Sequence, residues 1–186
     1  MTDPRLAHIA ELIELKADGQ YGLAEINQRQ HALQAAALAE KQGCPETLIA
    51  AALLHDIGHM VHDLGDNAAE NGVDDKHEEL GHEFLTSMFG PDVTEPVRLH
   101  VAAKRYLCAV EPDYFAKLSK DSIVSLSLQG GPMSPEEIAE FEAVPQYREA
   151  VQLRRFDEQA KVKGLQTPPA SHFMQYVERV ILPAVE

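Results

Sequence analysis

Apolar positions recur along the chain at intervals of three and four, and stretches that alternate apolar with polar residues are nearly absent. That periodicity predicts helices and no sheet. Helices are expected near residues 4–17, 23–42, 46–60, 76–89, 94–109, 135–142, 145–161 and 171–182, with short helical turns near 112–118 and 120–127. The punctuation agrees. Gly43 and Pro45 separate two alanine-rich helices, since glycine suits a C-terminal stop and proline cannot continue the first helix. Residues 63–75, DLGDNAAENGVDD, read as an acidic loop with turn formers at Gly65, Asp66-Asn67 and Asn71-Gly72. A second irregular stretch, QGGPMSPEE, ends with Ser134 placed to cap a helix whose first residue is Pro135. No repeat, low-complexity segment or linker interrupts the pattern. The 186 residues therefore predict one all-α domain, a helical bundle spanning 1–186.

One expected helix changes character halfway. AALLHDIGHMVHD, residues 51–63, begins as a greasy core helix and then brings His55, Asp56, His59, His62 and Asp63. Side chains of these types are rarely buried without partners. They lie on the surface, or they hold something.

Composition narrows the choice. The formal net charge of −14 repels phosphate backbones, which argues against nucleic acid as a partner. No apolar run approaches the roughly 18 residues of a membrane span, so no membrane partner is expected. The N-terminus lacks a basic segment followed by an apolar one, and two cysteines, Cys44 and Cys108, make no disulfide framework. A cytoplasmic protein is expected.

Five separate predicted helices supply imidazole or carboxylate near their apolar stripes: His31, the pair His55-Asp56, His77, His100 and Asp157. Each alone is ordinary, but together they match how a bundle builds a metal site in its core. Neighbours on a helix point about 100° apart, so His55 could serve one ion while Asp56 reaches a second. The count suits two metals, with His31, His55, Asp56 and Asp157 on one and Asp56, His77 and His100 on the other. With no thiolate in the set a structural zinc site is disfavoured, which leaves iron, manganese, cobalt or catalytic zinc.

Three more side chains stand at helical distance from these residues. His59 is four beyond His55, Lys104 four beyond His100, and Arg154 three before Asp157. Such spacings share a helix face, so all three should enter the same cavity and make it an anion pocket.

The ligand order H…HD…D, at His31, His55-Asp56 and Asp157, resembles the HD-domain superfamily, mostly metal-dependent phosphohydrolases. With His77 and His100 it looks like the expanded set of the mixed-valence di-iron oxygenases in that superfamily. INQRQHALQ, AALLHDIGH, HVAAKRYL and LQGGPM resemble the members that degrade organophosphonates, across nearly the whole chain. The resemblance implies an Fe(II)/Fe(III) pair, O2 as co-substrate, and oxidation of a 1-hydroxyphosphonate with C–P cleavage to a carboxylic acid and phosphate. It also implies phosphonate contacts at His59, Lys104, Ser122, Gln129 and Arg154.

Members acting on 1-hydroxy-2-aminoethylphosphonate carry a tyrosine that gates the open iron position and, three residues later, a glutamate that meets the amine. These positions fall on Tyr21 and Ala24 here. A primary ammonium has three N–H donors and wants a carboxylate, whereas a trimethylammonium group has none and wants space and aromatic faces such as Tyr21 or Tyr106. Ala24 therefore points to the N-trimethylated substrate and glycine betaine as product. The alternatives are the primary amine giving glycine, an HD-type phosphohydrolase, a polyol oxygenase, and a partner-binding helical domain with a degenerate site.

Overall fold

The computed structural model describes residues 3–17, 25–61 and 76–184. Its elements are α1 (Pro4–Glu11) running into a π-helical turn (Leu12–Lys16), α2 (Gln28–Lys41), α3 (Glu46–Leu54), α4 (Gly58–Val61), α5 (His77–Thr86), α6 (Pro91–Val110), a 3-10 turn (Phe115–Lys117), α7 (Lys120–Leu128), α8 (Pro135–Glu142), α9 (Tyr147–Gln159) and α10 (Ala170–Val180). No strand occurs among the described residues; an isolated bridge, Phe89 to Ile181, ties the segment after α10 beside the end of α5. The all-α expectation holds.

α3 is the axis. Its residues Leu48 to Leu54 are all buried, and α2, α6, α9 and α10 pack around it. A helix apolar on every side can only sit in a core. α5 packs on α6 and α4, and α6 lies along α9. At 20 residues α6 is about 30 Å long, enough to cross the bundle.

Several helix limits differ from the periodicity, each for a local reason. The helix expected at 23–42 starts at Gln28, because Asn27 is extended and forms a capping box with Gln30. Residues 18–24, including Tyr21 and Ala24, lie outside the described residues, as does the 62–75 stretch with His62 and the acidic loop. α6 starts at Pro91, where the missing N–H costs nothing, and carries Pro96 in its second turn. Ser134 caps α8 as expected, with Glu137 completing a capping box.

The largest departure is functional. The helix expected at 46–60 stops at Leu54, and a turn over residues 55–57 precedes α4. Gly58, just after that turn, lets the start of α5 come close. A Cβ there would lie 1.9 Å from the main-chain oxygen of His77 and 2.7 Å from its carbonyl carbon. Gly58→Ala should force α4 and α5 apart and cost about 1–3 kcal/mol. For a chain of this length each kcal/mol lowers Tm by roughly 2–4 °C. Thermal denaturation checks this; a Tm within about 1 °C of the parent would show that the two helices separate freely.

Candidate metal centre

Six helical elements or their ends deliver the predicted residues to one place. His31 comes from the first turn of α2, His55 from the C-cap of α3, and Asp56 from the turn behind it. His59 lies on α4, His77 opens α5, His100 sits in mid-α6, and Asp157 is near the end of α9. His31, His55, Asp56, His100 and Asp157 are all buried.

Their hydrogen bonds fix which atoms face inward. Nδ1 of His31 donates to the Ala160 carbonyl at 2.9 Å, Nδ1 of His55 to Ala52 at 2.9 Å, and Nδ1 of His100 to Val97 at 2.6 Å. A carbonyl can only accept, so in the neutral imidazole the lone pair is left on Nε2. These lone pairs converge. Nε2 of His31 and Nε2 of His55 are 3.0 Å apart, and those of His77 and His100 are 3.1 Å apart.

Asp56 stands between the two pairs. Its Oδ2 is 3.4 Å from Nε2 of His31 and 3.4 Å from Nε2 of His55. Its Oδ1 faces His77 at 3.6 Å, His100 at 3.7 Å and His59 at 4.0 Å. Asp157 completes the first group, with Oδ1 3.3 Å from Nε2 of His31. His59 stacks on His77 with ring centroids 4.1 Å apart, so it stands with the second group.

These positions fit metal ions. An imidazole nitrogen binds zinc at roughly 2.0–2.1 Å and similar metals comparably, so two ligands at right angles stand about 3.0 Å apart. Asp56 Oδ2 is buried and lacks a hydrogen-bond partner, which a cation would supply. The donors are nitrogen and oxygen throughout. His31, His55 and Asp157 have ligand atoms mutually within 4.8 Å, and so do Asp56, His59 and His77. The arrangement can hold two cations with Asp56 as the shared carboxylate.

The electrostatics favour the ligating forms of Asp56, Asp157, His31 and His100. Burial alone would raise the Asp56 carboxyl, but the imidazoles of His55, His59 and His77 hold it well below the carboxylate range. Burial opposes Asp157 in the same way and is outweighed by Arg154 and Lys161. Burial lowers His31, and it pushes His100 down to about 3 with help from His77 and His55. His55 moves up against its own burial because Asp56 lies beside it.

The structure places the residues expected to meet an anion as follows. Lys104 is buried and donates to Ser125 Oγ at 2.7 Å, and burial together with Arg154 lowers its ammonium to about 7. Ser122 is buried, and its Oγ is 3.1 Å from Nη2 of Arg154. Gln129 ends α7, with Oε1 buried and lacking a hydrogen-bond partner. Arg154 is not simply a cradle residue: its Nη1 clamps Asp157 Oδ2 and its Nη2 pairs with Glu158. Tyr106 is not part of the pocket. It lies six residues after His100 on α6, about 120° around the helix, with its ring against Phe141 and its hydroxyl donating to Glu142.

Glu158 and Lys161 are the residues the spacing argument overlooked. Glu158 Oε2 accepts from Ser122 Oγ at 2.8 Å and from Lys161 at 3.2 Å, while Oε1 accepts from the Ser119 amide at 2.6 Å. Lys161 lies four residues beyond Asp157, so the rule that selected Lys104 would have selected it too.

The HD domain family matches residues 28–143. The chain is 43% identical over 173 residues to the [1-hydroxy-2-(trimethylamino)ethyl]phosphonate dioxygenase (glycine-betaine-forming) of Leisingera caerulea, covering 93% of this chain and 88% of that one. It is 48% identical over 173 residues to a hydroxymethylphosphonate dioxygenase of Gimesia maris, covering 91% and 86%. An uncharacterised protein of Acanthamoeba polyphaga mimivirus is 34% identical over 148 residues, 78% of this chain and 68% of its own.

Replacing Asp56 with Ala should empty both metal positions, because both histidine groups face its carboxylate. His77→Ala should empty mainly one. Elemental analysis of the purified variants is the check. A single ion that survives His77→Ala and His100→Ala would leave the second position unsupported.

Proposed function

The chain belongs to the HD-domain family, and from that premise we propose that it is a di-iron dioxygenase that cleaves the C–P bond of a 1-hydroxyphosphonate. The observation that carries this is the Asp56 carboxylate, whose two oxygens face two separate histidine groups. His31, His55, Asp157 and Asp56 Oδ2 would hold one iron, and His77, His100 and Asp56 Oδ1 the other. Bound there, an Fe(II)/Fe(III) pair supplies a Lewis acid for the 1-hydroxyl and a route for electrons to O2. Overall, R–CH(OH)–PO3H2 and O2 give R–COOH and H3PO4, with all four electrons going to O2.

The protein's own contribution is position and charge. Lys104 and Arg154 meet the phosphonate oxygens, with Ser122, Gln129 and His59 around them. The dianion restores to Lys104 the counter-charge that burial denies it. Tyr21 is the gating residue of this reading. No described helix is long and apolar enough to cross a membrane. Free Cys44 and Cys108 suit a reducing cytoplasm.

The substrate we favour is 1-hydroxy-2-(trimethylammonio)ethylphosphonate, giving glycine betaine and phosphate. Ala24 supports this, since it puts no carboxylate where a primary amine would need one, and so does the name of the Leisingera relative. The Gimesia relative supports a second reading, hydroxymethylphosphonate, which has no amine to recognise. Oxygen uptake with each compound, and with the primary amine, decides. The trimethylated substrate should give the highest kcat/KM, with one O2 consumed per phosphate released, and Ala24→Glu should shift preference toward the primary amine. A parent enzyme that prefers the primary amine would defeat the substrate assignment. Phosphoester hydrolysis without oxygen uptake would defeat the oxygenase.

Lys104→Ala should raise KM without loss of iron, because removing one partner of a desolvated charge pair costs about 2–5 kcal/mol. Arg154→Ala should raise KM and also lower iron content, because Arg154 clamps Asp157. Steady-state kinetics with metal analysis separates the two variants; equal iron loss in both would mean that Lys104 also supports the ligands.

A further inference from the structure

Arg154, Asp157 and Glu158 stand at intervals of three and four along α9, and Lys161, two residues beyond its end, brings its ammonium to the same carboxylates. The Lys161 side chain is 12% exposed. Its Nζ is 3.2 Å from Ser119 Oγ, 3.2 Å from Ser122 Oγ, 3.2 Å from Glu158 Oε2 and 3.8 Å from Asp157 Oδ1. Arg154 Nη2 is 3.1 Å from the same Ser122 Oγ. Two cations therefore meet at one buried hydroxyl, and Asp157, whose other oxygen Arg154 holds, faces His31 through Oδ1.

An ordinary surface ion pair does not account for this. Exposed pairs keep their water and contribute little. Lys161 has exchanged most of its hydration for a crowd of oxygen acceptors around three N–H donors.

Glu158 is held just as firmly. One oxygen takes the Ser119 amide at the cap of α7, and the other takes Ser122 and both cations. It cannot swing away for an incoming anion without undoing the start of α7. That makes it a brace rather than a placeholder for substrate.

We propose that Lys161 is a third cation of the phosphonate cradle, touching the phosphonate oxygens beside Arg154 and Lys104, and that Glu158 positions Lys161 and Arg154. This rests on the phosphonate-oxygenase reading. A phosphonate carries three oxygens. The Arg154 fork also holds Asp157 and Glu158, so the compact ammonium charges of Lys104 and Lys161 suit the oxygens that Arg154 does not meet.

The test uses the iron-loaded full chain as parent, Lys161→Gln, Lys161→Arg and Glu158→Gln. Inorganic phosphate binding is measured by calorimetry, KM and kcat with the preferred phosphonate, and iron by elemental analysis. Lys161→Gln should weaken phosphate binding and raise KM at least about tenfold at unchanged iron content. Lys161→Arg should recover most of that loss, and Glu158→Gln should raise KM more than it lowers kcat. Phosphate affinity and KM for Lys161→Gln within about twofold of the parent would overturn the proposal. So would tighter phosphate binding by Glu158→Gln, which would make Glu158 a placeholder after all. A parent that consumes no oxygen, yet loses phosphate affinity with Lys161→Gln, would support the anion site while removing the oxygenase reading. An active parent beside an unaffected Lys161→Gln would sink the cradle assignment alone.

Discussion

A carboxylate buried where five helices and the turn after α3 converge governs this structure. Asp56 is 3% exposed and held ionised by the imidazoles around it. An isolated buried charge would be too costly to keep. Each Asp56 oxygen therefore faces its own set of histidines, whose outer nitrogens, at His31, His55 and His100, are tied to main-chain carbonyls. Those ties orient the rings and leave lone pairs about a right-angle ligand spacing apart. Such an arrangement is unfavourable without a cation and favourable with one, and much of the bundle's geometry follows from building it. α3 ends at Leu54 so that His55 and Asp56 can diverge, and Gly58 lets α5 come close enough for His77 to reach the shared carboxylate.

Asp157 couples this centre to the anion pocket. One oxygen faces His31 while the other is held by Arg154. The guanidinium thus fixes the carboxylate that faces His31 while its other nitrogen reaches Ser122 and Glu158. Around it Lys104, Arg154 and Lys161 gather against Asp157 and Glu158. Like charges this close are tolerable only because the carboxylates lie among them, and burial, with Arg154 nearby, still lowers the Lys104 ammonium to about 7.

The gathering of His31, His55, Asp56, His77, His100 and Asp157 was legible in the sequence because imidazole and carboxylate recur near the apolar stripes of five helices at once. That the two Asp56 oxygens face different histidine groups could be anticipated from its adjacency to His55. The break after Leu54 was not, because AALLHDIGHM keeps a helical period, and nor was the close approach of His77 to Gly58. The start of α2 carried a readable signal in Asn27 and Gln30, but the periodicity extended through it. Glu158 and Lys161 obey the spacing rule that found Lys104, yet Glu and Lys after a helix face usually read as solvated. Tyr106 misled in the other direction. An aromatic two residues from Lys104 looks near the pocket, but its angle around α6 turns it onto Phe141.

The two halves of the site are held by different forces. The histidines and Asp56 hang from α2, α3, α5 and α6, which pack through the main apolar cluster from Leu48 to Phe173. The hydroxyl side hangs from α7. That helix buries Leu126 against Leu107, Tyr114 and Leu118 but leaves Ile123, Val124 and Leu128 largely exposed. What fixes Ser122 is mainly polar: the Ser119 amide and the Ser122 hydroxyl both end on Glu158. Dispersion spread over many contacts holds a position against small perturbations, whereas a hydrogen-bond network on one carboxylate fails as a unit. The geometry of the histidines and Asp56 is thus set when the core folds, while the Ser122 side depends on one half-buried acid, Glu158, remaining charged and in place.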